Sequence, residues 1–174
     1  MGKRRHPFTR RNWVKRWVNL KVMKKIAFIV SHPIQYFAPL HRRLARRNDV
    51  QVKVFFTWHG GEKAHLDPGF LKPLAWDIPL TDGYEFEVVP NRARTPGTHH
   101  FWGLRNPSLV RDVLSWRPDA VHITAYSQYS HLTAMRALSR RGVPVLFRGD
   151  SHLLDKQQHP YRRKLASRWY FGCE

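Results

Sequence analysis

The chain has 174 residues, 42% of them hydrophobic, and carries 31 Lys and Arg against 12 Asp and Glu, a formal charge of +19. This is enough apolar material for one domain with a real core, which excludes a wholly disordered chain. The single cysteine, Cys173, excludes an intrachain disulfide and a cysteine-based metal site.

The charge divides into two parts. Residues 1–25 hold ten Lys or Arg and no acid, leaving 21 basic against 12 acidic side chains in the other 149 residues. No apolar run approaches the roughly 18 residues of a membrane-spanning helix. The segment "NWVKRWVNLKV" is broken by Lys15, Arg16 and Asn19, so it lacks the apolar centre of a secretory signal. The expected address is the cytoplasm, and residues 1–22 are expected to be a disordered basic extension ahead of a domain at 23–174. Trp13 and Trp17, interleaved with cations in that extension, suit contact with the inner face of an anionic membrane.

From Met23 the pattern alternates. "KIAFIV" reads as a strand, and a helix is expected near 36–47 with Phe37, Leu40 and Leu44 on its apolar face and Arg42, Arg43, Arg46 and Arg47 opposite. A second strand is expected at 51–58 and a third at 84–90, separated by a long loop and followed by another at 91–105. Asn106-Pro107-Ser108 reads as a capping Asn before a Pro at the first helical position, opening a helix with Leu109, Val110, Val113 and Leu114. "RPDAVHIT" supplies the next strand, Leu132, Met135 and Leu138 mark a helix closed by Gly142, and "VPVLFRG" is a last strand.

Strands separated by single helices predict an α/β fold, a Rossmann-like parallel sheet with helices on both faces. Right-handed crossovers then gather every strand-to-helix loop at one sheet edge, where ligands of open α/β sheets bind. The loops concerned are 31–35, 58–69, 124–130 and 148–155. They bring Ser31, His32 and Gln35 with neighbouring Tyr36, then Tyr126 and Ser127, then Arg148, Asp150, Ser151 and His152 to that edge. Such hydroxyls, amides, imidazoles and rings suit a ligand with many hydroxyl groups. The competing reading is that Ser and Asp merely cap the following helices.

Asp150 and His152 are the candidates for acid or base work, since a carboxylate orients an imidazole and shifts its titration. Gly60-Gly61 belongs to no phosphate-cradling motif, His99-His100 and the His59, His65, Asp67 group lack zinc spacing, and no serine-nucleophile turn is present. No metal site is expected. His122, alternating with Val121 and Ile123, reads as a packed structural histidine.

Three segments in order, "KIAFIVSHPIQYFAPLHRRLA", "DPGFLKPLAWDIPLTDGYEFE" and "GVPVLFRGDSHLLD", resemble the amino-terminal domain of bacterial family-four glycosyltransferases, enzymes of the GT-B fold. The resemblance runs from about Met23 to the end. It implies one half of a retaining transferase that takes sugar from a nucleotide-sugar donor, this half holding a sugar or lipid-linked acceptor. The "SHPIQY" and "RGDSH" loops would then line the cleft. Thr124-Ala125-Tyr126 stands where many such transferases place a cleft histidine, so no catalytic role is carried over there. The nucleotide-sugar pocket and the paired-glutamate motif of the second domain are not in these residues. This chain alone is therefore expected to bind no cofactor and to be inactive. The rival class is a basic module binding nucleic acid or membrane surfaces without catalysis, although no motif for specific nucleic-acid recognition is present.

Overall fold

A computed structural model describes residues 23–59, 65–66, 73–74, 79–125 and 127–148. The first strand, β1 (Lys24–Val30), has its last four residues buried. It leads through a tight turn into α1 (Ala38–Ala45), with Pro39 in the first helical turn where its missing N–H costs nothing. β2 (Val50–Phe56) follows. β3 (His65–Leu66) and β4 (Pro73–Leu74) form a small antiparallel ladder apart from the main sheet. Then come β5 (Glu85–Val88), a 3₁₀ turn at Phe101–Gly103, α2 (Leu109–Ser115), β6 (Ala120–Thr124), α3 (Tyr129–Arg140) and β7 (Val145–Arg148).

The main sheet has five strands in the order β5-β2-β1-β6-β7, all parallel. This is the expected Rossmann-like arrangement. Its two faces follow the alternation of the strands. Ala27, Ile29, Phe55, Val121 and Ile123 pack with Leu109, Val113, Met135 and Leu138 of α2 and α3. Phe28, Val30, Val52, Val54 and Phe56 face the other way with Phe37, at the entrance to α1. Helices therefore cover both faces, and the strands buried on both sides read as near-continuous apolar runs.

The edge opposite the candidate site is stapled by charge. The Lys25 ammonium donates to the Trp116 carbonyl at 3.0 Å and lies 4.7 Å from the Trp116 ring, while the Lys25 backbone N–H donates to the Asp119 carboxylate at 2.9 Å. Edge strand β5 is tied to β2 by Lys53, paired with Glu85 at 3.2 Å and Glu87 at 3.0 Å.

Two expectations are corrected. In α1 the inward face carries Ala38 and His41, whereas Leu40 is 42% exposed. The His41 ring is buried among Phe28, Phe37 and Tyr84, at centroid distances of 4.9, 6.1 and 5.2 Å. An aromatic environment accepts an imidazole as a flat packing unit; Phe37 and Leu44 pack on the inward face as expected, and only Leu40 turns to solvent. Asn106 is not a side-chain cap either: the residue before α2 is Ser108, which makes no side-chain cap bond. The Asn106 side chain turns inward and does other work.

Candidate functional site

β1 connects toward β2 on one side of the sheet, and β6 connects toward β7 on the other. The chain thus changes direction between adjacent strands β1 and β6, the place where open α/β sheets hold their ligand crevice. Ser31, His32 and Pro33 leave β1; Ala125 and Ser127 leave β6.

The β1 side is built on a tight turn. The N–H groups of Phe37 and Ala38 both donate to the Ile34 carbonyl, at 3.0 and 3.1 Å, and Pro33 is buried. This holds Ser31 and His32 at the rim, with Ser31 Oγ 2.9 Å from His32 Nδ1. The His32 ring meets Trp58, just beyond β2, edge-on at 5.7 Å. Burial pushes the His32 pKa below its ordinary value, so the imidazole is neutral at pH 7. Its Nε2 has no protein partner among the described residues. A neutral ring with one nitrogen on Ser31 and the other open can give or take a hydrogen bond with a ligand hydroxyl.

The β6 side rests on a buried polar floor. His131, in the first turn of α3, is completely buried. Its Nδ1 lies 3.0 Å from the Thr124 carbonyl and 3.4 Å from that of Ala125, and only a ring N–H can satisfy a carbonyl. Nε2 is then the acceptor of the Thr57 hydroxyl at 2.9 Å. Burial pushes the His131 pKa down to about 4 against the opposing effect of those carbonyls, which keeps the ring neutral, while its partners select the tautomer. The arrangement pins the ends of β2 and β6 together beneath the crevice.

Asn106 completes the floor. Its amide nitrogen donates toward the carbonyls of Thr57, Val89 and Pro90, at 2.9, 2.9 and 3.1 Å. Its backbone N–H donates to Ser130 Oγ at 2.7 Å, and Ser130 Oγ donates to the Leu104 carbonyl at 2.9 Å. These are main-chain groups at strand ends, where the ladder can no longer pair them. Asn106 Oδ1 and Gln128 Oε1 are buried without a hydrogen-bond partner among the described residues.

Ala125 has φ of +64°, a left-handed conformation uncommon for a residue with a Cβ. Its N–H donates to the Arg148 carbonyl at 3.1 Å, so the strained residue is held by the neighbouring strand at the crevice mouth. Strain of this kind persists where the surroundings over-determine it, and it gathers at functional sites.

Of the sequence candidates, Ser31 and His32 are in contact with each other, and Arg148 reaches the same region, its guanidinium 5.4 Å from the Phe37 ring. Gln35 and Tyr36 are exposed in the turn before α1, with Tyr36 against Phe37 at 4.6 Å. Ser127 is exposed on the β6 side. Tyr126, Asp150, Ser151 and His152 lie outside the described residues. His122 packs against Phe28 at 5.1 Å, and burial and nearby Arg148 push its pKa down. Sequence reasoning missed Trp58 and the Thr57, Asn106 and His131 floor. The available signal was polar residues at or just beyond the carboxyl ends of strands that are otherwise apolar.

No family model and no curated protein matches this chain.

Proposed function

We propose that this domain is the acceptor-binding half of a sugar transferase, holding a saccharide or sugar-bearing acceptor in the crevice between β1 and β6. Donor binding and the chemistry of transfer belong to a second domain of the nucleotide-sugar-binding type. The observation that carries the reading is the pairing of a neutral, half-buried His32 with Ser31 and Trp58 at the carboxyl edge of a parallel sheet, beside its direction change. Saccharides present rings whose apolar faces lie on aromatic side chains, while their hydroxyls bond to neutral donors and acceptors. A phosphate cradle would call for glycine at the turns after β1 and β6, and neither supplies one, although Arg148 brings a cation to the same region. The chain's three-segment resemblance to family-four transferases supports the same assignment.

The test is a glycan-array screen with the fluorescently labelled 174-residue chain, followed by titration of any retained saccharide. The expected result is retention of a saccharide, no binding of nucleotide sugars, and affinity about three- to tenfold weaker in His32→Ala, the loss of one net hydrogen bond. Binding of a nucleotide sugar in preference to saccharides, or saccharide binding indifferent to His32, would refute the assignment.

A further inference from the structure

The connection between β5 and α2 is long, yet it is built rather than loose. The Asn91 amide donates to the Gly103 carbonyl at 2.8 Å, and Asn91 Oδ1 accepts from the N–H groups of Ala93 and Arg105 at 3.0 and 2.9 Å. The Arg92 N–H donates to the Arg105 carbonyl at 2.7 Å, closing the base of the loop. Gly97 and Gly103 approach so closely that a Cβ on Gly103 would stand 2.0 Å from the Gly97 carbonyl oxygen. The His100 ring N–H donates to the Thr95 carbonyl and the Gln128 amide to that of Thr98, at 2.9 and 2.8 Å.

What this scaffold displays is apolar. Phe101 is 38% exposed and Trp102 56%, and both rings join Tyr129 of α3, Trp102 at 5.0 Å and Phe101 at 6.0 Å. A mobile loop would fold such rings inward; here the backbone bonds hold them out. The surroundings are cationic. No acidic residue occurs between Glu87 and Asp112, whereas Arg92, Arg94 and Arg105 are exposed in the same loop and form no ion pair among the described residues.

We propose that this loop is a membrane-contact element, in which Phe101 and Trp102 enter the interfacial layer of an anionic bilayer, Tyr129 backs them, and the three arginines meet lipid phosphates. Aromatic rings favour the headgroup region, and each basic side chain near an anionic surface adds attraction. A lipid surface fits better than a protein groove because the features on display are a protruding pair of rings and, among the described residues, three arginines without an ion pair. The amino-terminal extension has the same chemistry, with Trp13 and Trp17 among eight Lys and Arg in residues 1–22, and stable peripheral attachment generally takes two signals. The loop departs from the same sheet edge as the crevice, so attachment here would set that edge toward the bilayer. The proposal does not rest on the acceptor assignment.

The experiment is co-sedimentation of the full chain with vesicles of phosphatidylglycerol and phosphatidylcholine, and with phosphatidylcholine alone, at physiological and at high salt. Every variant retains the extension, and high salt weakens the attraction of its charges to lipid. Circular dichroism confirms folding, which exposed substitutions should leave intact. At high salt, Phe101→Ser/Trp102→Ser is expected to bind the mixed vesicles about tenfold or more weakly than wild type. At physiological salt, Arg92→Gln/Arg94→Gln/Arg105→Gln is expected to lose roughly tenfold or more of the preference for anionic vesicles. Wild-type-like binding by the Phe101/Trp102 variant, or no vesicle binding by the wild type, overturns the proposal. Neither readout needs a sugar or a donor.

Discussion

Replacing Asn106 by Asp changes almost nothing in volume and everything in hydrogen-bond polarity. In the wild type the amide nitrogen faces three carbonyl oxygens at 2.9 to 3.1 Å, at a side chain only 8% exposed. Asn106→Ala removes two N–H donors and leaves buried acceptors unmet, costing about 2–4 kcal/mol at a net 1 kcal/mol per lost bond plus desolvation of the orphaned oxygens. Asn106→Asp directs a carboxylate oxygen at the same carbonyls, and the carboxyl must either stay charged against them or take up a proton to donate. Its folded-state pKa must therefore rise above the unfolded value of about 3.9. The linkage sign follows: the folded state binds the proton more readily, so the penalty relative to Asn106→Ala is small at low pH and grows as pH rises from about 4 through the raised pKa. At pH 7 the Asp variant should be less stable than the Ala variant by at least about 1 kcal/mol, the equivalent of one pKa unit. Urea unfolding followed by circular dichroism, comparing the two variants at each pH so that the other titrations cancel, measures this. An Asp variant as stable as the Ala variant at pH 7, or both within 0.5 kcal/mol of wild type by the usual surface standard, would show that Asn106 does not hold the strand ends.

The buried histidines predict acid lability. Burial pushes His131, and burial with neighbouring His122 pushes His41, down to about 4, whereas the unfolded chain titrates near 6.5. Stability is thus fully present above about pH 6.5 and falls toward pH 4, each group contributing a slope approaching 1.4 kcal/mol per pH unit. Urea midpoints across that range should show it, and a flat profile would contradict the burial. Gly103→Ala should cost about 1–3 kcal/mol, since the added methyl overlaps the Gly97 carbonyl and the loop must shift; hydrogen exchange should show the loss of protection confined largely to 91–105. Leu40→Ala should change stability by less than about 0.5 kcal/mol while Leu44→Ala costs about 1 kcal/mol or more, because only Leu44 joins the packed cluster. Equal costs would place Leu40 on the packed face, as expected from sequence.

The central strands and their parallel direction were legible because their residues are apolar on both faces and are punctuated by Pro, Gly and Asn. The carboxyl-edge loops were legible for the same reason: topology alone places them. What escaped was chemistry hidden by residue type. His41 and His131 are polar by name, yet one packs among three aromatic rings and the other satisfies strand-end carbonyls beneath the crevice. Asn106 occurs in a good capping tripeptide, but three long-range carbonyls outcompete a local N–H. The rigidity of 91–105 depends on Asn91, Gly97 and Gly103 meeting across the loop, a relation no local pattern encodes.

The central claim is that the crevice between β1 and β6 receives a saccharide. The most direct measurement is a two-dimensional amide NMR titration of the isotope-labelled chain with a panel of mono- and disaccharides. The account predicts saturable shifts at Ser31, His32, Trp58, Ala125 and Ser127, with the β1 amino end at Lys24 and Lys25 unmoved. Shifts absent across the panel, or centred on the opposite edge of the sheet, would contradict it.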